Sequence, residues 1–248
     1  LKGSWALPGS LIGSGILLLA IAVVYLLRTP SPLLTFSALR SRTFRLTIMG
    51  GSVVRIALSS TPSLIPLMLQ LGFGYSAVEA GTLLLWLFAG NLAIKPATTW
   101  LMNTFGFKRL LIVNGVAIAV SFFWLGQLND ATPYWFLAVV LFISGINRSV
   151  HLTVLNTINF ADIPNHQMRD ANTLSAVLMQ MNRGLGITAG ALSLALASFL
   201  LGGSNAEPVP EHFQLAMDFM GLLTLLSMID SFTLPRDAGQ TILKRQRA

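Results

Sequence analysis

About seven stretches of this chain are each long and apolar enough to cross a lipid bilayer, and they leave it few folds to choose from. A transmembrane helix needs roughly 20 mostly apolar residues. Segments 7–27, 46–71, 77–101, 110–128, 133–158, 172–201 and 213–232 meet that requirement. Short connectors separate them and carry helix breakers, as in Thr29-Pro30-Ser31-Pro32, Gly72-Phe73-Gly74, Asn129-Asp130 and Gly202-Gly203-Ser204-Asn205. No alternation of period two persists long enough to suggest a barrel. Backbone polar groups in hydrocarbon must be satisfied within the segment, so the expected fold is an all-α integral membrane bundle.

Charge supports this expectation. Only 10% of the residues are charged and 54% are hydrophobic, whereas a soluble domain carries about 25% charged residues. Mean hydropathy is +0.70. The net charge of +7 would suggest nucleic-acid binding in a soluble protein, but here the cations sort by connector. Arg28, Arg40, Arg42, Arg45, Lys108, Arg109, Arg169 and the tail residues Arg236, Lys244, Arg245 and Arg247 fall on one set of ends. Lys2 shares the opposite set with Glu79, Asp130, Glu207 and Glu211. Cytoplasmic loops collect Lys and Arg, so the basic ends and the C-terminus of this multi-pass protein are expected to be cytoplasmic. The lipid bilayer is then an expected partner, and nucleic acid is not.

Four cations remain inside the spans: Arg55, Lys95, Arg148 and Arg183. A charge there costs a few kcal/mol unless it faces a bundle interior or a wet cavity. Lys95 can also snorkel to the cytoplasmic end, and Arg183 can pair with a carbonyl or an Asp. Arg55 and Arg148 lie deepest and point to a cavity. Arg148 and His151 are three apart and share one side of a helix; His151 is either a proton relay or a packing histidine. Gln70, Asn156 and Gln180 complete the candidate lining. After the first span, the helices divide as two polar, one apolar, two polar and one mainly apolar. That pattern suggests two three-helix repeats. Asp218, on the last span, is the deepest acid and is expected to be peripheral.

Pro62 and Pro66 are expected to interrupt the Arg55 helix and to bend or loosen it. Gly9 with Gly13, and Gly186 with Gly190, permit close helix approach. Trp86, Phe88, Phe122, Phe123, Trp124 and Tyr134-Trp135-Phe136 read as lipid-facing anchors before they read as a ligand platform. Cysteine is absent, and no zinc-ligand spacing, nucleophile elbow or phosphate loop occurs. No enzyme chemistry, metal or cofactor is expected. The chain begins Leu1-Lys2-Gly3 without a signal-peptide pattern, and it reads as a fragment of a longer polypeptide.

Three stretches carry a family resemblance. Pro62-Ser-Leu-Ile-Pro-Leu-Met-Leu-Gln70 runs into Gly74-Tyr-Ser-Ala-Val-Glu-Ala-Gly81. Thr99-Trp-Leu-Met-Asn-Thr-Phe-Gly-Phe-Lys-Arg-Leu-Leu111 forms a loop. Asn156-Thr-Ile-Asn-Phe-Ala-Asp-Ile-Pro164 is followed by Asn172-Thr-Leu-Ser and Gly184-Leu-Gly186. Together these resemble the major facilitator superfamily, in particular its fourteen-helix drug:proton antiporter branch of the EmrB/QacA type. In the loop, Leu101, Gly106 and Lys108 match the superfamily motif, while Thr99 and Asn103 stand where the motif has Gly and Asp.

The resemblance implies a major-facilitator-type six-helix C-terminal bundle of two inverted three-helix repeats, preceded by one linker helix. Its divisions would be a linker transmembrane helix at 1–32, a cytoplasmic connector at 33–45, the transporter half at 46–235 and a basic cytoplasmic tail at 236–248. It further implies the C-terminal part of a proton-coupled exporter of drugs or other small molecules. That part would work with an N-terminal half of the same transporter and draw on a proton gradient. Asn103, Gly106, Lys108 and Arg109 would then form a cytoplasmic gate loop. A metabolite or sugar facilitator of the same fold and a non-transporting membrane interaction protein are the alternative readings.

Overall fold

The computed structural model of the chain describes residues 37–201 and 209–234, together with Ser14, Gly15, Leu17, Leu18, Ala20, Ile21, Val24, Tyr25 and Arg28. The expected span 7–27 therefore falls largely outside the described residues, although those described within it are helical. The Gly9–Gly13 pair and the basic tail lie outside them as well.

Seven helices follow. They are α1 (Arg42–Leu67), α2 (Ala77–Ala93), α3 (Lys95–Phe105), α4 (Phe107–Gly126), α5 (Tyr134–Asn159), α6 (Met168–Leu200) and α7 (Pro210–Thr233). No strand occurs among the described residues. Among the described residues five helices are long and apolar enough to cross a membrane, and α2 with α3, taken as one bent span, makes a sixth.

Local chemistry sets the ends of these helices. Ser41 caps α1 by accepting from the Phe44 amide at 3.4 Å. Ser76 and Glu79 form a capping box at the start of α2. Gly106 adopts φ 75°, a conformation that favours glycine, and so turns α3 directly into α4. Pro210 opens α7, where a missing amide hydrogen costs nothing.

Two expectations change. Segment 77–101 is not one straight helix, because α2 and α3 meet at Ile94 with a bend of 49°. Pro96 is the cause, since it lacks the amide that would continue the hydrogen-bond ladder. Pro62 and Pro66, in contrast, do not interrupt α1. The helix runs through both to Leu67 and then widens into a π-helical turn at Met68–Gly72. There the Phe73 amide reaches the Met68 carbonyl at 3.0 Å.

Packing reveals the internal order. The most extensive contacts pair α1 with α6, α2 with α5, and α4 with α7; α1 with α7 and α4 with α5 come next. Exchanging the first triplet (α1, α2–α3, α4) for the second (α5, α6, α7) maps each of these contacts onto another or onto itself. Three spans per triplet make the second run inverted, as expected from the sequence. The match departs at α6, which also packs along α7. Glycines set the two matched crossings. Gly90 and Gly145 bring α2 and α5 into backbone contact, and Gly186 lets α6 approach the Ile56 carbonyl on α1 so closely that a Cβ would lie 2.6 Å from it.

The ends of the bundle also sort as the charges do. Lys108 reaches the end of α7, and Phe44 packs with Ile163 and Ala171 near the basic starts of α1 and α6. At the other end Tyr75 meets Tyr134 edge-on at 6.3 Å, and the Gln214 amide donates to the Leu128 carbonyl at 3.0 Å.

Candidate functional site

A cleft of about 170 Å³ opens between α1, α5 and α6, lined by Arg55, Leu58, Ser59, Arg148, Leu152, Asn156, Met179 and Arg183. Three of the four stranded cations therefore meet in one place. Arg55 lies 13 residues from the start of α1, Arg148 11 from the end of α5, and Arg183 15 from the start of α6. At 1.5 Å per residue these positions are about 17–22 Å from the basic end, close to the middle of a bilayer roughly 30 Å thick.

Helical periodicity explains the lining. Arg148, Leu152 and Asn156 recur every fourth residue along one stripe of α5. From α1, Arg55 folds back over Gly51 and donates from Nη1 to the Thr47 carbonyl at 3.2 Å. Its Nη2 donates to Asn156 Oδ1 at 3.1 Å. Gly51 makes room for this, since a Cβ there would lie 2.7 Å from Arg55 Nη1. Arg55 is thus 95% buried yet held only by neutral acceptors. Arg183 meets Gln180 Oε1 at 3.5 Å, and a buried Nη1 of Arg148 has no partner.

The site continues as a polar chain toward the basic end. Thr47 donates to Asn159 Oδ1 at 2.9 Å, Asn159 donates to Ser175 Oγ at 3.1 Å, and Thr43 donates to Asp162 Oδ2 at 2.5 Å. Asn182 donates to Ser52 Oγ at 2.9 Å. These bonds tie α6 and the α5–α6 connection to α1 just below the arginines. Buried polar groups tolerate such positions only when satisfied in this way.

Not every expected lining residue is there. His151 is buried but faces a different gap, of about 10 Å³, with Thr47, Gly51, Leu155 and Ser227 among its neighbours. Three residues along a helix turn a side chain by about 60°, which is enough to move it from one groove to the next. Gln70 sits exposed in the π-helical turn, 15 residues beyond Arg55 and so about 22 Å away along the axis. Gln180 touches the site only through Arg183. Lys95, the fourth stranded cation, is exposed at the α2–α3 elbow and donates to Thr153 Oγ1 at 3.1 Å. Asp218 packs against Gly126 on the α4–α7 side, away from the cleft. Ser59 and Met179 also line the cleft, and they carry no charge to mark them in the sequence.

In the loop segment, Asn103 is half-buried on α3 and Arg109 is exposed on α4 beside a groove of about 420 Å³ with Phe105 and Ile112. Lys108 has a defined contact. Its Nζ donates to the carbonyls of Phe232 and Leu234 at 2.7 and 2.6 Å, neutralising the C-terminal end of α7.

No family model matches the chain. Curated relatives do, under the provisional name multidrug resistance protein MdtD. The protein from Cronobacter sakazakii is 30% identical over 72% of this chain and 35% of its own length. The one from Citrobacter koseri is 26% identical over 79% and 42%. In Escherichia fergusonii the relative is 26% identical over 99% of this chain and 53% of its own length. The chain spans about half the length, or less, of the relatives it matches. These likenesses, at 25–30% identity, bear out the resemblance read from the sequence.

Proposed function

We propose that this chain, a relative of the multidrug-resistance transporters of the major facilitator superfamily, is the C-terminal part of a proton-coupled exporter of small molecules. The single observation that carries this reading is the convergence of Arg55, Arg148 and Arg183, from three helices, on one cleft near mid-membrane depth. Charges at that depth need a function or a partner, and transporters place their substrate sites there. The relatives' name favours a transporter over an interaction protein. It favours drugs over sugars or metabolites as cargo.

In this reading the cleft is one wall of a central cavity whose other wall belongs to the remainder of the transporter, an N-terminal half. The two would rock about the cleft so that it faces each side in turn. The basic ends would lie in the cytoplasm, and the loop at Asn103, Gly106, Lys108 and Arg109 would brace that side. The gradient of protons across the inner membrane would drive export.

The test is flux in proteoliposomes that contain the full-length transporter, with a pH gradient imposed. Arg55→Gln together with Arg148→Gln should reduce pH-driven substrate flux at least tenfold while the protein stays folded. Undiminished flux in a folded double variant would show the cavity assignment to be wrong.

A further inference from the structure

Among the described residues, the three arginines of the cleft have no acid beside them. None of the eight lining residues is a carboxylate, and Arg55 rests on the Thr47 carbonyl and the Asn156 amide oxygen. A buried guanidinium held by neutral groups is incompletely compensated, because desolvation in a low-dielectric interior calls for an opposite charge. Arg148 is half-buried and Arg183 is exposed at the same cleft. Three cations sharing one cleft repel one another, and an anion between them would relieve that repulsion and compensate Arg55. Each guanidinium presents five donors in a fork that matches a carboxylate or sulfonate. Arg55 spends two of its donors on Thr47 and Asn156, and Nη1 of Arg148 is buried with no partner.

We propose that the cleft binds the anionic head of an amphiphilic organic anion, a carboxylate or sulfonate, between Arg148, Arg55 and Arg183. The proposal rests on the reading of this cleft as the transport site and adds the charge class of its ligand. Leu58, Leu152 and Met179 supply the apolar border that an amphiphile would cover. At about 170 Å³ the cleft is smaller than the roughly 300–1,000 Å³ of a pocket for a whole drug-sized molecule. It therefore takes the head, and the apolar body extends toward the rest of the transporter.

Two dyes of similar size separate the outcomes. Carboxyfluorescein is anionic and ethidium cationic, and fluorescence anisotropy with the purified full-length protein reads the binding of each. Carboxyfluorescein should bind at least tenfold more tightly than ethidium. Arg148→Gln should weaken it at least tenfold, and Arg148→Lys should recover part of the loss, because it restores charge without the fork. The proposal is overturned if ethidium binds as well as carboxyfluorescein, or if Arg148→Gln leaves anion binding unchanged in a folded protein. It is overturned equally if an acid from elsewhere in the full-length chain fills the cleft so that neither dye binds. Anion binding without any flux would instead defeat the transport reading and leave the anion site standing. Ethidium flux without anion binding would do the reverse.

Discussion

Gly145 on α5 lies so close to the Leu87 carbonyl on α2 that a Cβ added to it would overlap that oxygen, and Gly90 stands in the same relation to the Phe142 carbonyl. The two helices therefore touch backbone to backbone, with no side-chain layer between them. Neither partner atom belongs to a side chain that can rotate away. Gly145→Ala and Gly90→Ala should each destabilise the protein by at least about 1–3 kcal/mol, the usual cost of overpacking. Gly184→Ala, which meets open space, should be neutral. Thermal unfolding in detergent compares the three, and equal midpoints would refute the backbone crossing.

Lys108 should matter to the end of α7 more than its neighbour does. Its ammonium is the cation that meets the terminal carbonyls of Phe232 and Leu234. Replacing it with Met removes a charge–dipole interaction worth about 0.3–2 kcal/mol. Hydrogen exchange over residues 231–234 should accelerate in Lys108→Met. In Arg109→Met, whose arginine is exposed at the neighbouring groove, it should stay as it was.

Asn159 joins α1 to α6 through Thr47 and Ser175, and all three are buried. Asn159→Leu should cost about 1–3 kcal/mol, because the Ser175 hydroxyl loses its donor in a place water does not reach. Thr47 falls back on its own helix, where the Thr43 carbonyl already accepts from it at 2.8 Å. Asn159→Leu and Ser175→Ala should consequently be less than additive in a double-mutant cycle, while Asn159→Leu and Thr47→Val should come closer to additivity.

Orientation is measurable with introduced cysteines, since this chain has none and any elsewhere in the full-length protein can be replaced by serine. Asp130 precedes α5 and Gln167 follows it. Single cysteines at these two positions in the full-length protein should react with an impermeant maleimide from opposite faces of the membrane. Gln167 should be on the cytoplasmic face. Labelling of both from one side would remove α5 from the membrane and undo the topology.

Much of this fold is legible in the apolar runs, because a bilayer permits few alternatives to a helix. Arg55, Arg148 and Arg183 were equally legible as a group, since a charge in hydrocarbon demands an explanation wherever it occurs. The elbow at Lys95-Pro96 escaped notice because hydropathy averages over Pro96 and does not register its missing amide. Gly90 and Gly145 are 55 residues apart, and nothing in their spacing announces that they meet. His151 went to the wrong groove for a finer reason. Sharing a side with Arg148 is a statement about Cα positions, and a 60° turn decides which neighbour a side chain reaches.

The inverted pairing of the two triplets has a mechanical corollary. The α1–α6 and α2–α5 crossings are counterparts under that pairing, so one glycine-set contact is used twice, in opposite senses across the membrane. A bulky residue at Gly186 should therefore strain the bundle in the same manner as one at Gly145.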